Sequence, residues 1–143
     1  MAKRTKRFAL KGCEGPTGIT FDAHSQTLVS ACANGVAIVS SASGRRVAQL
    51  PIGKGADGAA IDMSRHLVLI PSGREGTLTI IRLQPKPAVV GQIATAVSAR
   101  TIALDPSTGR AYLPSATLAP AQGNERPKPV SGTFRVLVLA PAS

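Results

Sequence analysis

Short apolar runs alternate with polar turns along the whole chain, and the runs are too brief and too irregular in spacing for amphipathic helices. Gly18-Ile-Thr-Phe21 sets apolar against small or polar residues with period two, the mark of a strand with two different faces. The polar segment Ala23-His-Ser-Gln26 separates it from a second run, Leu28–Ala31. Ala33-Asn-Gly35 then leads to Val36–Val39, and Asn-Gly is a strong hairpin signal because both residues tolerate positive φ. After a Ser/Gly loop, Arg46–Ile52 closes a unit of four antiparallel strands. The scheme recurs in Gly58–Ile61, Leu67–Ile70, Thr77–Arg82 and Ala88–Ile93, with Pro87 at a strand start, where a missing N–H does little harm. A third unit opens with Thr101–Leu104 and Ala111–Leu113. It passes through a Pro/Ala/Gly-rich stretch, Thr117–Ser131, expected to be a long mobile loop, and returns as Phe134–Leu139 without a fourth strand.

Each unit ends its first strand in an aspartate. Asp22, Asp62 and Asp105 lie 40 and 43 residues apart. Self-similarity at this period predicts a propeller array of four-stranded blades. The expected fold is all-β, a half-propeller of about three blades in one domain over residues 1–143, with blades near 15–53, 55–95 and 98–140. One strand remains over, Arg7–Leu10, in the place of an outer strand belonging to a preceding blade. Closed propellers remove sheet edges in this way, so 7–10 is expected to close a last blade. Three blades are too few for a ring. A two-fold homodimer in which each N-terminal strand completes the other copy's third blade makes six; the alternative is that the chain is part of a longer propeller.

Composition narrows the picture. Gly and Pro are frequent, as an all-β chain with many turns requires. With three Phe, one Tyr and no Trp, the core must be built from Val, Ile, Leu and Ala. The net charge of +10 is partly local, since Lys3, Arg4, Lys6, Arg7 and Lys11 fall in the first eleven positions. Such an arm can neutralise phosphates on nucleic acid or on an anionic surface. The plainer reading is a solvated tail, because no aromatic residues are interleaved to stack bases. The apolar run after the arm, Phe8-Ala-Leu10, is too short for a signal peptide, and no segment has the roughly 20 apolar residues of a membrane span, so a cytoplasmic start is expected.

Asp105-Pro-Ser-Thr-Gly-Arg-Ala-Tyr-Leu113 resembles the Asp-Pro-x-Thr-Gly-Arg-x-Tyr-Val signature of the YVTN-type β-propeller repeat family. Ile52-Gly-Lys-Gly-Ala-Asp57 with Ala59-Ala-Ile-Asp62, and Gly15-Pro-Thr-Gly-Ile19, fit the turn and inner strand of the same repeat. The resemblance spans about residues 7–139. It departs at Pro114-Ser115, where the name motif has Thr-Asn, and the second copy lacks both the Pro-x-Thr-Gly turn and the Tyr. Family members include surface-layer, periplasmic and cofactor-enzyme-associated propellers with about seven blades. The resemblance therefore implies the last three blades of a longer ring, and it leaves a periplasmic or exported location open.

Thr17, Asp57 and Arg100 each stand five residues before a marker aspartate. They begin the inner strands, where a propeller presents its channel mouth, and are the candidate ligand-binding residues, with Glu14 and Lys54 beside them. An ion pair between Asp57 and Arg100 is the plainer reading. Asp22, Asp62 and Asp105 are expected to fix turns rather than catalyse, because carboxylates on separate blades do not converge on one bond. His24 and His66 have no second ligand at metal spacing. Gly53-Lys-Gly55 is too short for a phosphate-binding loop and precedes a strand. Cys13 and Cys32 have no zinc spacing; they are two reduced thiols or, in an oxidising compartment, a disulfide between adjacent strands. The expected function is a non-catalytic binding or assembly scaffold with no cofactor and no metal. The alternatives are binding of nucleic acid or an anionic surface through the basic arm, and a subunit or fragment of a cofactor-dependent enzyme propeller.

Overall fold

The computed structural model describes residues 2–142, which form eleven strands and no helix. The strands make three antiparallel sheets in a β-propeller-like arrangement. Sheet one runs β1 (Pro16–Asp22), β2 (Thr27–Cys32), β3 (Val36–Ser41), β4 (Arg46–Pro51). Sheet two runs β5 (Ala60–Asp62), β6 (Leu67–Ser72), β7 (Thr77–Arg82), β8 (Ala88–Ala94). Sheet three holds only β9 (Ala103–Leu104), β10 (Ala111–Ser115) and β11 (Arg135–Leu139). Every neighbour in a sheet is also the neighbour in sequence, so each sheet is a meander closed by short turns.

Strand alternation decides which side chains meet. Val29 and Ala31 of β2 and Ala37 and Val39 of β3 face sheet two, where they pack on Val68, Ile70, Ile81 and Leu83; Ala48 and Leu50 of β4 join them. Each fully buried aliphatic side chain contributes about 1.5–3 kcal/mol. The other face of sheet two meets sheet three through Leu69 and Leu78 against Ala111, Leu113, Leu137 and Leu139. Both cores are aliphatic, as the scarcity of aromatics requires.

The first strands of the three sheets lie side by side. They can approach because they carry glycine where they touch. A Cβ on Gly18 would stand 2.6 Å from the Gly58 carbonyl carbon, and one on Gly58 would stand 3.2 Å from the Thr101 α-carbon. A backbone hydrogen bond ties each sheet to the next at matching positions: Gly55 N–H donates to Ala33 O (2.9 Å), and Ser98 N–H donates to Gly73 O (2.8 Å).

Four features differ from the sequence expectations. Arg7–Leu10 forms no strand; it runs beside sheet one, where Lys6 Nζ donates to Ser43 O (2.8 Å) and Phe8 lies against Gly44. The Ala33–Gly35 turn spans three residues, and only Gly35 takes positive φ (91°). The segment 117–131 folds back on itself, with Ala119 N–H donating to Lys128 O and Val130 N–H to Thr117 O, both at 2.8 Å. The first strands of sheets two and three are also shorter than expected, three and two residues long, and before β5 Ala56 makes only an isolated bridge to Ser72.

Candidate binding rim and turn sites

Thr17 lies in β1, whereas Asp57 and Arg100, expected to begin strands, each lie three residues before β5 and β9; the three still occupy equivalent places in the repeat on adjoining sheets. Pro16 pairs with Cys32 and Gly18 with Ala31, so Thr17 is the extra residue of a β-bulge. The bulge aims its hydroxyl out of sheet one, and Oγ1 donates to Ala56 O across the seam at 2.8 Å. Arg100 and Asp57 join sheets three and two by an ion pair of 3.4 Å, with the arginine side chain 63% and the aspartate 31% exposed. A pair this open contributes about 0–1 kcal/mol, so both charges remain available to a ligand. Lys54 is exposed with its stem beside Gly35. Glu14 is exposed too, and its backbone N–H donates to Asn34 Oδ1 (3.1 Å) while Asn34 Nδ2 donates to Gly12 O (3.0 Å). Asn34 thus clamps the approach to β1, a role its turn position did not announce.

The three marker aspartates lie at the opposite ends of the first strands, each closed into its own turn. Asp22 accepts from the N–H groups of His24 and Ser25 and from the Ser25 hydroxyl (2.5 Å). Burial works to raise its carboxyl, but these hydrogen bonds outweigh burial and hold it below the usual carboxylate value. Asp62 is likewise buried and likewise lowered, by the Ser64 hydroxyl and by Arg65, whose guanidinium stands 2.8 Å away. Asp105 is lowered to about 2, first by the Ser107 hydroxyl (2.6 Å), then by that of Thr108 (2.7 Å). Four residues after each aspartate the backbone turns left-handed, at Gln26 (φ 56°), His66 (φ 55°) and Gly109 (φ 72°). Only the third copy uses the residue for which that conformation is free of strain.

Cys13 and Cys32 form a disulfide, with Cα atoms 5.4 Å apart. It anchors the basic arm to the end of β2. Lys3, Arg4, Lys6, Arg7 and Lys11 are all exposed. The arm's position beside β4 brings Arg46, which donates to Lys11 O, next to it, together with Arg45. The sequence reading left these two arginines out of the basic group. It also missed that His24 and His66 meet across sheets one and two, with ring centroids 5.0 Å apart. They sit two and four residues after their aspartates, so the repeat register does not pair them.

An apolar cavity of about 350 Å³ opens between sheets two and three. Leu67, Leu69, Ile80 and Ile93 wall it on one side and Ala111 and Leu139 on the other, with the Asp62–Arg65 pair among its lining.

No protein-family model matches the chain, and no curated protein is similar to it in sequence. Among solved structures it is similar to hydrazine synthase of Kuenenia stuttgartiensis, with a TM-score of 0.65 at 13% identity over 80% of this chain and 33% of that one. The chain thus spans about a third of the length of that protein. A likeness at this identity is one of fold.

Proposed function

We propose that the chain is part of a YVTN-type β-propeller and serves as a non-catalytic scaffold, binding a protein or small molecule at the rim of its first strands. One observation carries this reading. The half-exposed Asp57–Arg100 pair and the bulged Thr17 place two opposite charges and a hydroxyl at equivalent positions on three adjoining sheets. The three aspartates at the far ends of those strands are each held by their own turn, which suits a structural role. The test is a thermal-shift screen of the native chain against polar small molecules and peptides, repeated with Asp57→Ala and Arg100→Ala. A ligand that raises the midpoint of the native chain and of neither variant supports the rim. A ligand that stabilises all three equally sinks it.

Two observations favour second readings. Arg45 and Arg46 extend the arm into a basic edge on sheet one, which suits nucleic acid or an anionic surface. Binding of a single-stranded oligonucleotide that falls steeply with salt and vanishes on deleting residues 2–7 would establish it. The likeness to a hydrazine synthase chain suits a propeller within a larger enzyme, which co-purifying metal or cofactor absorbance would reveal.

A further inference from the structure

We propose that His24 and His66 together bind one divalent ion of the zinc, nickel and copper class across the seam between sheets one and two. The site lies at the ends of the first strands away from the rim, so it does not depend on the rim reading.

The chain has two histidines, and the fold brings both to one place. They come from different sheets, His24 from the turn after β1 and His66 from the turn after β5. Spacing along the chain gives neither a second ligand; the packing of the sheets does. Their ring centroids stand 5.0 Å apart, with the rings inclined by 44°. An imidazole nitrogen binds zinc at about 2.0–2.1 Å, so two rings on one ion hold their centroids about 4.5–5.2 Å apart between right-angled and tetrahedral geometry. The observed separation falls inside that range.

Neither turn has a use for its imidazole. In the second and third copies the residue two after the aspartate is serine, and Ser64 and Ser107 donate their hydroxyls to Asp62 and Asp105, each at 2.6 Å. In the first copy His24 holds that place, and the hydroxyl has moved one residue on, to Ser25, which donates to Asp22 at 2.5 Å. Only the backbone N–H of His24 enters the turn. The place of His66, four residues after its aspartate, is held by Gln26 in the first copy and by Gly109 in the third, so the left-handed backbone there requires no imidazole either. His66 Nδ1 is buried without a partner, which leaves Nε2 to face the ion, and His24 is exposed.

The class of ion follows from the donors. Imidazole suits zinc, copper and nickel, whereas hard ions such as magnesium prefer oxygen. Both cysteines are joined in the disulfide, so no thiolate competes. Charge favours a cation. Asp62 is paired with Arg65, but Asp22 has no ion-pair partner among the described residues, and the hydrogen bonds of its turn keep it charged. Both carboxylates are buried and bound in their turns, so they act through charge and not as ligands. No group of three His, Cys, Asp or Glu gathers to hold a metal among the described residues, so water takes the remaining tetrahedral positions and the ion stays exchangeable. Bound there, it ties the turn of sheet one to the turn of sheet two and favours the packed seam by mass action.

Calorimetry with zinc alone tests the site on the full chain after treatment with a chelator, with magnesium as the control. The expected result is one zinc per chain, a thermal midpoint raised by zinc and unmoved by magnesium, and ring-proton NMR signals of both histidines that move together. His24→Ala changes an exposed side chain, and His66→Asn keeps a residue that tolerates the left-handed backbone. Each is expected to weaken zinc binding roughly tenfold or more, since the second ligand no longer acts at high effective concentration. In His24→Ala the His66 ring signals should stay in place at the zinc concentration that moves them in the native chain. If His66→Asn does not fold, His24→Ala decides alone. No zinc binding by the native chain, binding that His24→Ala leaves unchanged, or a mass that doubles with zinc, which would assign the two imidazoles to different copies, would overturn the proposal.

Discussion

Sheets one and two bury the sides that face each other, whereas the side of sheet three away from sheet two is apolar and bare. The residue types hardly differ: Val29 and Val39 are fully buried, Val136 and Val138 mostly exposed. What differs is whether a neighbouring sheet stands against them, as sheet two does against Val29 and Val39. Burial here is set by a residue's place in the stack of sheets, so equal side chains should have unequal worth.

The largest expected effect lies between two aliphatic truncations. Ile70→Ala, in the packed contact of sheets one and two, should cost about 2–5 kcal/mol. Val136→Ala, on the bare side of sheet three, should stay within about 0.5 kcal/mol at concentrations that keep the chain monomeric. Urea denaturation of both variants checks this, and equal costs would break the comparison. Reduction of Cys13–Cys32 comes next. It frees a 19-residue separation and should cost about 3 kcal/mol on the chain-entropy account. The effect should fall on sheet one: amide exchange should quicken in residues 6–14 and in β2, with β10 and β11 little changed. Free thiols in the non-reduced protein, or a midpoint indifferent to reductant, would refute the pairing.

The smallest effect sharpens the contrast between turns. The folded carboxyls of Asp22, Asp62 and Asp105 all lie below their ordinary value, so each stabilises the fold fully above that value and less as pH falls through the folded one. For Asp105 the window runs from its ordinary value of 3.8 down to about 2. Acid titration followed by NMR should show the Asp105 carboxyl changing near pH 2 in the native chain. In Ser107→Ala, which removes the hydroxyl with the largest influence, the transition should move upward. A transition near 3.8 in the native chain would show that the turn does not hold the charge.

Much of the fold was legible because it is written in near neighbours. Alternation in Gly18–Phe21 or Thr77–Arg82 marks a strand, and Asp-x-Ser or Asp-x-x-Thr places a hydroxyl within reach of a carboxylate. The Asp57–Arg100 meeting was also readable, since the aspartate register sets the two side by side. The bulge at Thr17 was not, because an extra residue in one strand shows only against its partner. Nor was the meeting of His24 with His66, which depends on how two turns of unlike length lean together. The N-terminal segment carried the composition of a strand, but a strand needs a neighbour to bond, and the segment lies along the flank of sheet one without backbone pairing to it.

By itself, then, the sequence determined the all-β character, the period of the repeat, the aliphatic core and the turn-holding aspartates. These rest on side-chain alternation, local hydrogen bonding and composition, which need no distant contact. Only the tertiary structure decided that Cys13 and Cys32 join, that the arm lies along sheet one, that Arg45 and Arg46 gather beside it and that Phe21 and Phe134 stay outside the cores. Each of these depends on which surfaces remain uncovered once the sheets have stacked, a property of long-range packing that no short stretch of residues contains.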